Sequence, residues 1–230
     1  MDLERTVAGL LEKTERRFYG KYRGLVVDNQ DPARLGRLRV SVPSLLGPEV
    51  VTGWATPCLP YGGADDQGFL FVPERGAGVW VEFEEGDPEF PIWVGAYWTR
   101  PGSQSQLPRP QAADGSDQDE AQDPPTRKII KTAAGHTVQF EDAQGEESVM
   151  VREGSQGHRV TLDKGGITLV DKRGNTLVLN EEGIELTDAT GNAIRMNDSA
   201  MALSSAVPFS IEAPGRTVTI VAAGIELKKG

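Results

Sequence analysis

From Gly157 to Met196 the chain reads GHRVTLDKGGITLVDKRGNTLVLNEEGIELTDATGNAIRM. This stretch repeats every 17 residues. Gly157, Gly174 and Gly191 keep that step, and so do Gly166 and Gly183. Val160, Leu177, Ile194 and Ile211 form one apolar column, and Leu162, Leu179 and Met196 a second. Ile167, Ile184, Met201 and Val218 form a third, and Leu169, Leu186, Leu203 and Ile220 a fourth. A fixed period marks stacked supersecondary units that cannot bury an apolar face alone. Each unit reads as two short strands of the form Gly-x-x-Φ-x-Φ, with Φ apolar, so alternation puts both Φ side chains on one face. Glycine permits the corners between them. One such ribbon has open edges and a narrow apolar face, thin for a single-chain core. Three chains around a common axis meet both needs. The fifteen column residues named above are therefore expected to form the core of a trimer, in preference to a monomeric solenoid.

The repeat can be followed in both directions. Gly135-His136-Thr137-Val138-Gln139-Phe140 resembles Gly157-His158-Arg159-Val160-Thr161-Leu162, but at a step of 22. The excess predicts a loop of about five residues near Asp142–Glu147. After residue 220 the register slips by about one residue at Gly224-Ile225-Glu226-Leu227, as a terminal capping element does. His136 and His158 hold the slot that Asn175 and Asn192 fill later. That pattern indicates a polar role beside a turn and not metal ligation.

Upstream, residues 101–126 carry five prolines and a run of acids without an intervening base: Asp114, Asp117, Asp119, Glu120 and Asp123. They read as an acidic, extended linker. Residues 22–100 read as a compact β domain with strands at Tyr22–Asp28, Arg37–Val42, Gly68–Val72, Gly78–Phe83 and Pro91–Trp98. Turn signals separate them at Asp28–Pro32, Pro60–Gly63 and Glu85–Pro88. Five short strands in that length suit a small closed barrel such as the OB-fold. Residues 1–21 read as a short amphipathic helix with Leu3, Val7, Leu10, Leu11 and Phe18 on one stripe. The expected fold is thus mainly β: an N-terminal helix, an OB barrel at 22–100, the linker, and an intertwined trimeric β-helix over 127–230.

The chain has 230 residues and a formal charge of −10. That charge opposes a general nucleic-acid binder, which needs a positive surface to displace counterions. The four tryptophans, Trp54, Trp80, Trp93 and Trp98, all lie in the β domain, among Glu82, Glu84, Glu85, Asp87 and Glu89. They are read as core or subunit packing and not as a stacking platform. A single cysteine, Cys58, excludes an intrachain disulfide and is expected to be a small buried hydrophobe. No HxH, HExxH or CxxC spacing suggests a metal, and no cofactor is expected. Glu84 and Glu85 fall at a strand-to-turn transition and do not read as an acid–base pair. No apolar run is long enough to cross a bilayer. The N-terminus, with Asp2 and Glu4, does not read as a cleaved signal, so assembly in the cytoplasm is expected.

One resemblance is specific. Tyr22–Pro32, Leu35–Val40, Val42-Pro43, Trp54-Ala55, Phe71–Pro73, Gly76–Glu84, Gly86–Pro88 and Pro91–Gly95 resemble the OB domain of central spikes in contractile injection machines. That family comprises phage baseplate assembly protein V, the T-even phage spike and VgrG. The resemblance covers about 80 residues closely, and the C-terminal 100 by architecture and repeat. It implies a non-enzymatic homotrimer at the baseplate centre, in a phage tail, an extracellular injection particle or a type VI apparatus. It implies a hub protein at the OB end, other baseplate proteins nearby, transient contact with a target membrane, and a needle pointing outward. No lysozyme-like insert stands between barrel and needle, so the cell-wall activity of some relatives does not carry over. No hub domain precedes the OB fold, so the hub is expected as a separate chain. The C-terminus lacks the histidines that bind iron at some phage tips. A PAAR-type tip protein is therefore expected on Gly224, Ile225 and Leu227. Two other classes remain as alternatives: a spike with cell-wall hydrolase activity, and an OB-type binder of single-stranded nucleic acid.

Overall fold

The computed structural model describes residue 7 and residues 17–112, 114–118 and 124–228. The helix expected over 1–21 lies almost wholly outside the described residues. The chain forms two compact units that divide between Leu107 and Pro108. Both are built of strands, and the protein is mainly β.

The first unit is an OB-like curled sheet of five strands: β1 (Tyr22–Asp28), β2 (Arg39–Ser41), β3 (Thr56–Pro57), β4 (Gly78–Phe83) and β5 (Pro91–Tyr97). Their order is β2-β1-β4-β5-β3, antiparallel except where β3 joins β5. The ends turn back on each other. Leu38 and Ala55 exchange both backbone hydrogen bonds, at 3.1 and 2.7 Å, just before β2 and β3. Alternation decides what goes inside. Val79, Val81 and Phe83 of β4 point inward with Val26, Leu38, Val40, Val42, Ala55 and Trp93, while Trp80 and Glu82 face out. The Trp93 indole N–H donates to the Gly36 carbonyl at 3.1 Å, so this tryptophan is core and satisfied. Phe18, Tyr22 and Phe83 close one end with ring centroids 5.8–6.3 Å apart.

The loop before β2 is organised by one carboxylate. Asp31 accepts from the backbone N–H groups of Ala33, Leu35 and Arg37 and from the Arg37 guanidinium at 2.7 and 3.0 Å. The Arg37 guanidinium first, and those amides with it, hold the Asp31 carboxyl far below the usual carboxylate range, against the opposing effect of burial. Arg37 also stacks over Trp54 at 5.7 Å.

Three sequence expectations differ here. Gly68–Val72 is not a strand but an exposed loop, tied back by one hydrogen bond from Phe69 N–H to the Tyr61 carbonyl. Gly62 and Gly68, at φ of +141° and +151°, turn the chain away from any ladder. The fifth strand is Thr56–Pro57 instead, too short for a periodic signal and made a strand by its parallel neighbour. Cys58, which follows it, is exposed and not a buried hydrophobe.

The second unit is one antiparallel sheet of nine strands in strict chain order: β6 (Arg127–Lys131), β7 (Thr137–Glu141), β8 (Ser148–Arg152), β9 (Arg159–Asp163), β10 (Gly166–Val170), β11 (Thr176–Asn180), β12 (Gly183–Thr187), β13 (Ala193–Met196) and β14 (Met201–Ser204). The 22-residue step is explained by a longer connection at 142–147, between β7 and β8. The 17-residue period is two strands and two turns, and each turn type has its own chemistry.

The tight turns begin with Asp163, Asn180 and Asn197. Each side-chain oxygen accepts the N–H two residues on, at 2.7–2.9 Å. Gly166 and Gly183 start the next strand at φ of +121° and +129°. The wider turns run from Asp171 to Asn175 and from Asp188 to Asn192. There the aspartate accepts both from the asparagine backbone N–H and from its side-chain amide. The polar slot noted in the sequence then links each wide turn to the next. His136 Nδ1 accepts Gly154 N–H at 3.1 Å, and His158 Nδ1 accepts Lys172 N–H at 3.3 Å. Asn175 Oδ1 accepts Ala189 N–H at 3.0 Å, and Asn192 Oδ1 accepts Ala206 N–H at 2.8 Å. Histidine and asparagine are interchangeable here because each presents an acceptor at the same reach. Asn175→Ala is expected to expose the Ala189 amide and cost about 1–2 kcal/mol. Hydrogen exchange at that single amide reads it out.

The wide-turn signature then ends, while the tight turn keeps Asn197 and loses only its glycine. Ser205, Pro208 and Phe209 stand where Asp188, Gly191 and Asn192 stand one period earlier, and Ala200 stands where Gly183 does. Among the described residues, no strand follows Ser204.

Candidate assembly interface

The register places the sequence columns on one face. Leu162, Ile167, Leu179, Ile184, Met196 and Met201 are successive cross-strand neighbours. Val160, Leu169, Leu177, Leu186, Ile194 and Leu203 form a second line beside them. The lines extend into β7 and β8 through Phe140 and Val149, and through Val138 and Val151. The structure thus brings together the twelve column residues that lie between 160 and 203, as the period predicts. Ile211, Val218 and Ile220 lie beyond the last strand and are exposed.

This face is open to solvent. Leu169 is 38% exposed, Leu186 47% and Leu203 57%. Val151, Val160, Leu169, Leu177 and Leu186 line a shallow groove of about 430 Å³, edged by His158 and Asn175. Chemically the two lines offer hydrocarbon, with Glu153, His158 and Asp171 only at the rim of the groove, so the surface is suited to holding another apolar face. Expelling water from it is the largest free energy the second unit has left unspent.

The opposite face is polar and partly covered by the chain itself. Gln139, Met150 and Thr161 are buried there beneath residues 108–112 and 114–118, which belong to this unit. Gln111 N–H donates to Gln139 Oε1 at 2.8 Å, and Gln139 Nε2 donates back to the Gln111 carbonyl at 2.7 Å. The Lys131 ammonium donates to Asp117 at 3.2 Å and to the Arg109 carbonyl at 3.3 Å. The Gln111 amide first, then Lys131, lowers the Asp117 carboxyl. The stretch read as a linker over 101–126 therefore includes a packed strap. Its proline and acid content gave no sign of that, because the contacts join residues 14 to 28 positions apart through a glutamine pair and one lysine.

Charge along the turns has a consequence with a definite sign. The Thr190 hydroxyl first, then the Asn192 amide and the turn N–H groups, hold the Asp188 carboxyl at about 2. A lowered folded pKa means its contribution is complete above the unfolded carboxylate value and is lost as pH falls toward 2. A carboxyl NMR titration is expected to find Asp188 still ionised at pH 3, and Thr190→Ala to raise its midpoint.

Among the described residues, no group of three or more His, Cys, Asp or Glu side chains is placed to hold a metal ion. Among those residues, no helix is long and apolar enough to cross a membrane. Gly224, Ile225 and Leu227 are exposed near the end of the described chain.

Residues 22–98 match the family described as the type VI secretion system/phage-baseplate injector OB domain. The first unit is therefore an injector OB domain, and that match supports a structural role in a phage-type baseplate or type VI apparatus. The matched residues end before the nine-stranded sheet begins. No curated protein matches the sequence.

Proposed function

We propose that the chain is the central spike of a contractile injection machine: a non-enzymatic homotrimer whose second unit is the shaft of the needle. One observation carries this reading. A sheet of nine strands presents two unbroken lines of Leu, Ile, Val and Met to solvent, in a register fixed by repeating turns. A monomeric soluble protein rarely leaves so large an apolar surface bare. Three copies turning these faces to one axis bury them all and give a stiff rod, and the injector OB domain supplies the setting for a rod. In this reading a hub protein holds the OB end, a PAAR-type tip protein sits on Gly224, Ile225 and Leu227, and the needle meets a target membrane only as it passes.

The test is the solution mass by light scattering. A mass near three times 24.8 kDa that persists in mild detergent supports the shared-axis shaft. A mass of one chain overturns it.

A further inference from the structure

The strap on the polar face lies between the OB domain and the edge of the sheet in chain order. Strand β6 is that edge: it pairs only with β7, and the chain enters it at Arg127, opposite Glu141. An edge strand pulled from its entry end comes away one pair at a time, so each hydrogen bond meets the whole load alone. Any tension arriving from the first unit meets residues 108–112 and 114–118 before it meets Arg127.

Those residues are anchored across several strands. The reciprocal Gln111–Gln139 pair reaches β7, an interior strand. Asp117 and the Arg109 carbonyl hold Lys131, at the far end of β6 from Arg127. A Cβ on Gly115 would lie 3.1 Å from Arg152 Nε of β8, so the strap sits closely on that strand as well. The strap is closed on itself by Gln118 N–H to the Pro110 carbonyl, Ala112 N–H to the Ser116 carbonyl, and the Gln111 side chain to Asp117. It is thus a small unit of its own and not a continuation of the ladder. Pro110 and Gln111 are almost completely buried.

We propose that this strap is a mechanical clamp: it delivers tension from the N-terminal side to interior strand β7 and to the far end of β6 and keeps it from peeling β6 at Arg127. The purpose of such a clamp comes from the spike reading, since a driven needle is loaded along its chain, but its existence is tested separately.

The test is single-molecule pulling on the full chain, with Cys58 replaced by serine. One handle is attached at residue 204 through Ser204→Cys. The other is attached either at residue 107, upstream of the strap, through Leu107→Cys, or at residue 125, downstream of it, through Pro125→Cys. The first rupture is expected at about twofold higher force from 107 than from 125, because two reciprocal hydrogen bonds share the load. Gln139→Leu, which keeps the bulk and removes both bonds, is expected to bring the force from 107 down to the value from 125. Equal forces from the two points in the unaltered sequence overturn the proposal, as does a difference that survives Gln139→Leu. If Gln139→Leu does not fold, Lys131→Met replaces it with the same two readings. The mass of each sample is measured alongside, so a monomer that still shows the asymmetry refutes the spike and keeps the clamp.

Discussion

On the shared-axis reading, Leu169→Asp together with Leu186→Asp is expected to change the protein from three chains to one. The two residues sit in one line of the open face, separated by Leu177, and both are more than a third exposed in the single chain. With 38% and 47% of their surface still to be covered, each is worth about 1 kcal/mol on association, so two sites in three chains forfeit about 6 kcal/mol, most of the roughly 8 kcal/mol that holds a micromolar complex. Six carboxylates crowded at an apolar axis add desolvation and mutual repulsion. The fold of each chain is not expected to suffer, because in the single chain these positions already meet water. Light scattering reads the mass, and far-UV circular dichroism checks that strands remain. Thr168→Asp, one residue away on the opposite face, is the control and is expected to leave the mass unchanged. A double variant that stays trimeric would show that this face is not the interface.

Gly183→Ala is expected to be the most destabilising single-methyl change in the sheet, with Gly166→Ala beside it. A Cβ at Gly183 would stand 2.0 Å from the Met196 carbonyl oxygen, and one at Gly166 2.1 Å from that of Leu179. Both obstacles are backbone of the adjoining strand, so relief requires the strand to move. The φ of +129° at Gly183 is itself strained for any L residue, at about 1–3 kcal/mol. With the clash added, a loss of about 4 kcal/mol is expected, and β12 should part from β13. Gly174→Ala makes the contrast. Its φ is +86°, but nothing lies within 4 Å, so only about 1 kcal/mol is at stake. Thermal melts of the three variants separate close approach from backbone preference. Equal losses would mean that the carbonyl contact is of no consequence.

Much of this architecture is written in local chemistry, and that part was legible. The glycine step, the apolar columns and the shared His/Asn slot each recur at 17 residues, because each repeat solves the same packing and turn problem. The alternation of Val79, Val81 and Phe83 with Trp80 and Glu82 likewise announced a strand with two faces. What escaped was set by distant partners. Thr56–Pro57 is a strand only because Ile92 and Trp93 lie beside it. Gly68–Val72 has strand composition, with Phe69, Leu70 and Phe71, yet those side chains are exposed and find no ladder. Gln139 carries no mark in the sequence of the partner it meets in Gln111. The candidate face was legible as a set of residues. Its openness was not, since burial in one chain depends on what the rest of that chain covers.

The lapse of the wide-turn signature after Asn192, and of the tight-turn glycine at Ala200, bears on reach. Each intact 17-residue cassette adds two strands, or about 9.5 Å of sheet measured across the strands. The cassette from Gly166 to Glu182 contains its own glycine corner, aspartate turn and apolar quartet, so it is complete as a unit of inheritance. Duplicating it in frame keeps both apolar lines continuous, because every column position meets Leu, Ile, Val or Met on the next strand. Length in the second unit is therefore quantised: a genome can lengthen or shorten the sheet in fixed increments, by whole-cassette gain or loss, without redesigning its apolar face.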